Sequence, residues 1–157
     1  MSNTPASTPA AAAPAAPAAR FERAQLIRFA HCDPAGIIFF PQYLVLFNQL
    51  TEDWFNEGLG VGYADMIVGR KVGLPIVNLQ CDFRAVSRLG DTVTLGVSVE
   101  HLGSRSLRRN FECTSGDELR VRSTQVLVFT DLTTHRSREV PADIRRAIEA
   151  FAGLTPP

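Results

Sequence analysis

Six consecutive residues gather the reactive side chains of this chain: His31, Cys32, Asp33, Pro34, Ala35 and Gly36. Asp33 supplies a carboxylate, a group able to attack a carbonyl carbon or to take a proton from water. Asp first, Pro second and Gly fourth also make an ordinary type I turn, so composition alone leaves catalysis and turn formation equally open. Position favours catalysis. The turn runs through Ile37, Ile38, Phe39 and Phe40 into Pro41, a residue suited to the first position of a helix. A helix start presents uncommitted N–H groups and the positive end of the helix dipole. A carboxylate and donors for an oxyanion therefore converge. Neighbours on an extended strand point to opposite faces, which argues against a nucleophilic pair of His31 and Cys32. Cys32 reads as a buried, inert thiol. His101 and His135 stand apart, nothing in the spacing reads as a zinc motif, and neither a metal nor another cofactor is expected.

A second candidate lies between Arg84 and Arg109, where five arginines (84, 88, 105, 108 and 109) meet two acids, Asp91 and Glu100. Within it, Gly103, Ser104, Arg105 and Ser106 combine the backbone donors of a turn, two hydroxyls and a guanidinium, a set suited to a phosphate-bearing small ligand. Solvated strand edges explain the same charges equally well. Fifteen of the sixteen strong bases are Arg, which suits bidentate phosphate contacts and which a GC-rich genome also produces.

The whole chain narrows the choice. Its 157 residues carry 16 Lys plus Arg against 16 Asp plus Glu, with 45% hydrophobic residues and a pI of about 6.8, the composition of one soluble domain. A neutral chain has no long-range field to gather polyanions, so neither nucleic acid nor a membrane surface is expected as a partner. No apolar run reaches the ~18 residues of a membrane span. Three widely spaced cysteines, Cys32, Cys81 and Cys113, do not form a disulfide framework, and the reducing cytoplasm is the expected compartment. Residues 1–20 hold nine Ala and four Pro with no acidic or aromatic residue. They read as a disordered tail and a poor secretory signal.

Several elements must position these residues. Residues 22–30 read as a strand. From Pro41, Tyr43, Phe47, Leu50 and Trp54 recur at helical spacing up to Gly58 or Gly60, and Leu44, Val45, Leu46 and Phe55 make the helix apolar all round, as in an enclosed helix. Period-two alternation marks strands at 77–85 and 93–99, expected to pair as a hairpin, and further strands at 107–113 and 119–129. Pro141 opens a short helix with Ile144, Ile148 and Phe151 inward. One enclosed helix beside consecutive antiparallel strands gives an α+β domain, a curved antiparallel sheet wrapped around a central helix.

The run Cys32-Asp33-Pro34-Ala35-Gly36-Ile37-Ile38-Phe39-Phe40-Pro41 followed by Tyr43 resembles the signature of the 4-hydroxybenzoyl-CoA thioesterase family, which has the hotdog fold. Further matches are Gly73-Leu74-Pro75-Ile76-Val77 and Arg105-Ser106. The resemblance covers the domain expected at 21–153, between the tail at 1–20 and a short tail at 154–157. It implies hydrolysis of an acyl-CoA thioester, with Asp33 as nucleophile or general base and the Phe40 N–H as donor to the thioester oxygen. It also sets Arg105 and Ser106 near the CoA phosphates. Members specialised for 4-hydroxybenzoyl groups carry a carboxylate where this chain has Asn48, the residue then expected to meet the acyl group. Hotdog sites usually form between subunits, so a homodimer at minimum, and a homotetramer by preference, is implied. Two other readings remain: a non-catalytic acyl-CoA-binding hotdog protein, which needs no carboxylate at position 33, and a hydratase or dehydratase, which needs a His that His31 does not match.

Overall fold

In the computed structural model, which describes residues 19–154, the elements follow in chain order. They are β1 (Arg20–Leu26), a 3-10 turn (Phe29–His31), α1 (Pro41–Asp53) extended by a π turn (Trp54–Gly58), a second π turn (Asp65–Gly69), β2 (Val72–Gly73) and β3 (Ile76–Phe83). Then come β4 (Thr92–Leu102), β5 (Ser106–Ser115), β6 (Glu118–Val128), β7 (Thr130–Asp131), β8 (Arg136–Ser137) and α2 (Ala142–Ala152). The tail expected at 1–20 lies outside the described residues as far as residue 18, and so do residues 155–157.

Five strands form one antiparallel sheet in the order β1-β4-β5-β6-β3. Gly116, at φ +56°, makes the tight turn from β5 to β6. The expected strand at 22–30 stops at Leu26, because the chain turns into the 3-10 segment before the Asp33 loop. The expected hairpin of 77–85 with 93–99 does not form: β3 pairs with β6 at one edge, and β4 lies between β1 and β5. The connecting segment makes other bonds instead. Arg84 and Ala85 donate their N–H groups to Arg120 O (2.8 and 3.1 Å), Leu89 N–H donates to Gly36 O (3.0 Å), and Gly90 N–H donates to Ile27 O (2.9 Å). It therefore crosses from the β3 edge to the start of β4 past the Asp33 loop.

The sheet curves around α1 with the core between them. Tyr43, Leu46, Phe47, Leu50, Trp54 and Phe55 are buried, each large apolar side chain contributing about 1.5–3 kcal/mol. Phe47 stacks on Phe111 of β5 at 4.9 Å between ring centroids. A Cβ at Gly58 would lie 2.7 Å from Trp54 Cδ1, so the close approach there requires glycine. α2 buries Ile144 and Ile148, sets Phe151 against Trp54 and ends at Gly153 in the left-handed conformation that closes a helix. The helix α1 is enclosed on the sheet side only. Val45, Asn48, Gln49 and Glu52 are exposed on its other face, because no element among the described residues covers it.

Candidate active site

Asp33 sits half-buried in a loop tied at both ends. Its N–H donates to Ile37 O (3.0 Å), and Gly36 N–H donates back to Asp33 O (3.0 Å). Gly36 has φ +74°, a conformation that a side chain would strain. The Ala35 N–H donates to Asp33 Oδ1 at 2.8 Å. One carboxylate oxygen thus holds the turn, while Oδ2 has no hydrogen-bond partner among the described residues. Turn and reagent are therefore compatible roles for one side chain. The loop is seated by Ile38 N–H on Ser87 O (2.9 Å) and Phe39 N–H on His31 O (2.9 Å).

Immediately after it α1 begins, with Pro41 at its first turn. Gln42 N–H is committed to Phe39 O (2.8 Å) and Tyr43 N–H to Phe40 O (3.2 Å), and Pro41 has no N–H to offer. The Phe40 N–H therefore remains without a backbone acceptor among the described residues, at the positive end of the helix. The Phe40 side chain is 58% exposed. It borders a cavity of about 260 Å³ with Ile38, Tyr43, Phe83, Arg84 and Val86, where the Phe83 ring lies 6.0 Å from those of Phe40 and Tyr43. The Tyr43 hydroxyl donates to Ser87 Oγ at 2.9 Å, and burial raises its pKa, keeping it a neutral donor.

Two of the three thiols are held in the protonated form. Burial pushes Cys113 up to about 11 and also raises Cys81, whereas the thiolate is the reactive form. Cys32 is half-buried rather than buried, because its loop lies at the surface, and its thiol donates to Arg28 O (3.5 Å). His31 Nδ1 accepts from Arg28 N–H (3.1 Å). The 3-10 turn, not strand alternation, determines where these two side chains go.

Asp33 and Phe40 lie on the one segment that leads into α1, but the other expected site residues do not join them within one chain. Arg105 is exposed at the turn between β4 and β5, with Nη1 3.5 Å from Ser137 Oγ. Ser106 opens β5, its carbonyl accepting from Gly103 N–H at 2.9 Å. The Asp33 loop lies at the Thr92 end of β4 and Arg105 lies beyond Leu102 at the other end; 11 residues of strand span about 35 Å. Asn48 lines a larger cavity of about 550 Å³, bordered by Val45, Glu52, Ile76, Arg109 and Leu127 among others. Arg109, counted above with the phosphate-binding candidates, is instead 1% exposed. A sequence signal existed: Leu107, Arg109, Phe111 and Cys113 share one face of β5, and the other three are core residues.

A curved antiparallel sheet wrapped around one helix, with the Asp33 loop leading into that helix's start, is the hotdog architecture. The model of the thioesterase-like superfamily matches residues 27–148. A 4-hydroxybenzoyl-CoA thioesterase of Pseudomonas sp. (strain CBS-3) is 31% identical over 127 residues, covering 76% of this chain and 90% of that one. A 1,4-dihydroxy-2-naphthoyl-CoA hydrolase of Synechococcus sp. (strain CC9605) is 27% identical over 134 residues, covering 82% and 89%. Among solved structures, a 4-hydroxybenzoyl-CoA thioesterase variant in complex with 4-hydroxybenzoyl-CoA superposes with a TM-score of 0.73 at 25% identity, covering 82% of this chain and 98% of that one. The chain belongs to the thioesterase-like superfamily and is a thioester hydrolase.

Proposed function

We propose that this protein hydrolyses aromatic acyl-CoA thioesters to the free acid and CoA, acting in the cytoplasm as a homodimer or a pair of homodimers. The observation that carries this reading is the Asp33 carboxylate, with Oδ2 free, in the loop that delivers the uncommitted Phe40 N–H. As general base, Asp33 takes a proton from water while the water oxygen attacks the thioester carbon. The C–O bond forms, the carbonyl oxygen becomes an oxyanion held by Phe40 N–H and the helix dipole, and the C–S bond then breaks with the electron pair leaving on sulfur. As nucleophile, Asp33 attacks the carbon itself, expels CoA thiolate and forms a mixed anhydride that water cleaves. Water is the only co-reactant in either route.

The dimer follows from β3. It is an edge strand exposing Ile76, Val77, Leu79 and Phe83, with Val77 60% exposed, and such an edge is a template for pairing. Antiparallel pairing with a second copy lays the Ile76 end of one chain against the Phe83 end of the other. The Asn48 cavity, Arg105 and Ser106 of one chain then face the Asp33 and Phe40 of its partner, a composite that one chain cannot make. In this reading Arg105 and Ser106 hold CoA phosphate, and Asn48 faces the acyl group. Phe39, Phe40, Tyr43 and Phe83 favour a flat acyl group, in keeping with the aromatic substrates for which the relatives are named.

Thiol release across benzoyl-, 4-hydroxybenzoyl-, phenylacetyl- and short aliphatic CoA esters tests this. Because Asn48 both donates and accepts, benzoyl and 4-hydroxybenzoyl esters are expected to differ by less than about 100-fold in kcat/KM. A clear preference for short straight chains would overturn the aromatic assignment, and no release from any ester would favour the binding protein over the enzyme.

A further inference from the structure

Arg109 is the feature that this mechanism leaves unexplained. Its guanidinium is buried on β5, yet among the described residues its only hydrogen bond is from Nη2 to Gln125 Oε1 at 3.0 Å. The Phe111 ring lies beside it, with Cζ 4.7 Å from the centroid, and Tyr63 shares the same cavity wall. Nε and Nη1 have no partner among the described residues, and Glu52, on the wall of the same cavity, makes no ion pair with it. Burial lowers its pKa to about 9, so the side chain still carries its charge at neutral pH. A buried, unpaired charge is costly to keep. This one borders an open cavity of about 550 Å³ whose wall includes apolar Val45, Leu74, Ile76 and Leu127, polar Asn48 and Tyr63, and the Glu52 carboxylate.

We infer that this cavity receives the far end of the acyl group and that Arg109 binds a negatively charged oxygen there, a carboxylate or an ionised phenol, with Asn48 as its polar neighbour. The inference rests on the acyl-CoA hydrolase reading and deepens it. The apolar wall accommodates the body of the acyl group, the guanidinium supplies the missing anion's partner, and the second chain of the proposed dimer brings the cavity to the catalytic turn. Arg109 is thereby a specificity-determining residue, distinct from the exposed Arg105.

The test compares 4-carboxybenzoyl-CoA with 4-acetylbenzoyl-CoA, similar in size but uncharged. A charge-assisted hydrogen bond makes the wild-type kcat/KM ratio favour the carboxylate by about 10- to 100-fold. Arg109→Met, which replaces a buried charge by an apolar side chain of comparable length, should fold, and its ratio should fall to within about 3-fold of unity. Arg109→Gln serves the same comparison if the Met variant does not fold. A wild-type ratio near unity, or a preference that survives either substitution, overturns the inference. Calorimetric binding of both esters to Asp33→Asn separates it from the hydrolase reading. Tighter binding of the carboxylated ester without turnover by the wild type would keep the Arg109 assignment and remove the enzyme. Equal binding and equal turnover of the two esters would do the reverse.

Discussion

Asp33 holds its own loop through one carboxylate oxygen and leaves the other without a partner among the described residues, so the turn-forming and the proposed catalytic role can be separated by a single substitution. Asn retains an oxygen for the Ala35 N–H but cannot act as base or nucleophile. Asp33→Asn is expected to lower kcat by about 10²- to 10⁴-fold while the melting temperature and substrate affinity stay close to wild type. A thiol-release assay beside calorimetry checks this, and normal turnover would assign Asp33 to the turn alone. At the opposite end of β4, Arg105 is exposed and its guanidinium makes, among the described residues, only a long contact to Ser137, which leaves it available to phosphate. Arg105→Ala is expected to raise KM for CoA esters by about 10-fold or more. Short thioesters without the nucleotide should be nearly unaffected, and equal effects on both would give Arg105 a structural role.

Among the elements, α2 carries an acid-sensitive tether. Asp143 in its first turn accepts two hydrogen bonds from Arg70, at 2.8 and 2.9 Å. The Arg70 guanidinium is the main reason its carboxyl lies below the usual carboxylate range. A depressed folded-state pKa means that the unfolded chain binds the proton more readily. The stabilisation is therefore complete above the ordinary carboxylate pKa and is lost as pH falls through the folded one. Both side chains are substantially exposed, at 33% and 50%, so solvent screening limits the pair to about 0.2–1 kcal/mol. Asp143→Asn should lower the melting temperature by about 1–3 °C at neutral pH. That difference should vanish once wild-type Asp143 is itself protonated in acid, and a gap persisting there would show that the effect is not electrostatic.

For the whole molecule the exposed β3 edge and the division of site residues between opposite ends of the sheet point the same way. Replacing Val77 and Leu79 with Lys places charges on that edge, a device that blocks strand pairing. Sedimentation should show the wild type as a dimer or larger, and the doubly substituted chain as a folded monomer that has lost most of its activity despite an intact Asp33. A wild-type monomer with full turnover would remove the composite site.

The residues legible in the chain alone were those whose roles are local. Asp33 to Gly36 form a turn and Pro41 starts a helix because backbone sterics and hydrogen bonds over a few residues decide both. Alternation marked β4, β5 and β6 because each buries one face. Strand partners were not legible. Period two records which face a strand buries but not which neighbour it pairs with, and so residues 88–91 looked like a hairpin turn, whereas Ser87, Leu89 and Gly90 bond to Ile38, Gly36 and Ile27 on either side of the Asp33 loop. The open face of α1 was hidden because apolar residues around a helix do not reveal whether this chain supplies the cover. The alternation of β5 marked the face on which Arg109 is buried, but not its lack of a counter-ion: charge is a property of the residue, whereas burial without a partner exists only once β5, β6 and α1 have enclosed it.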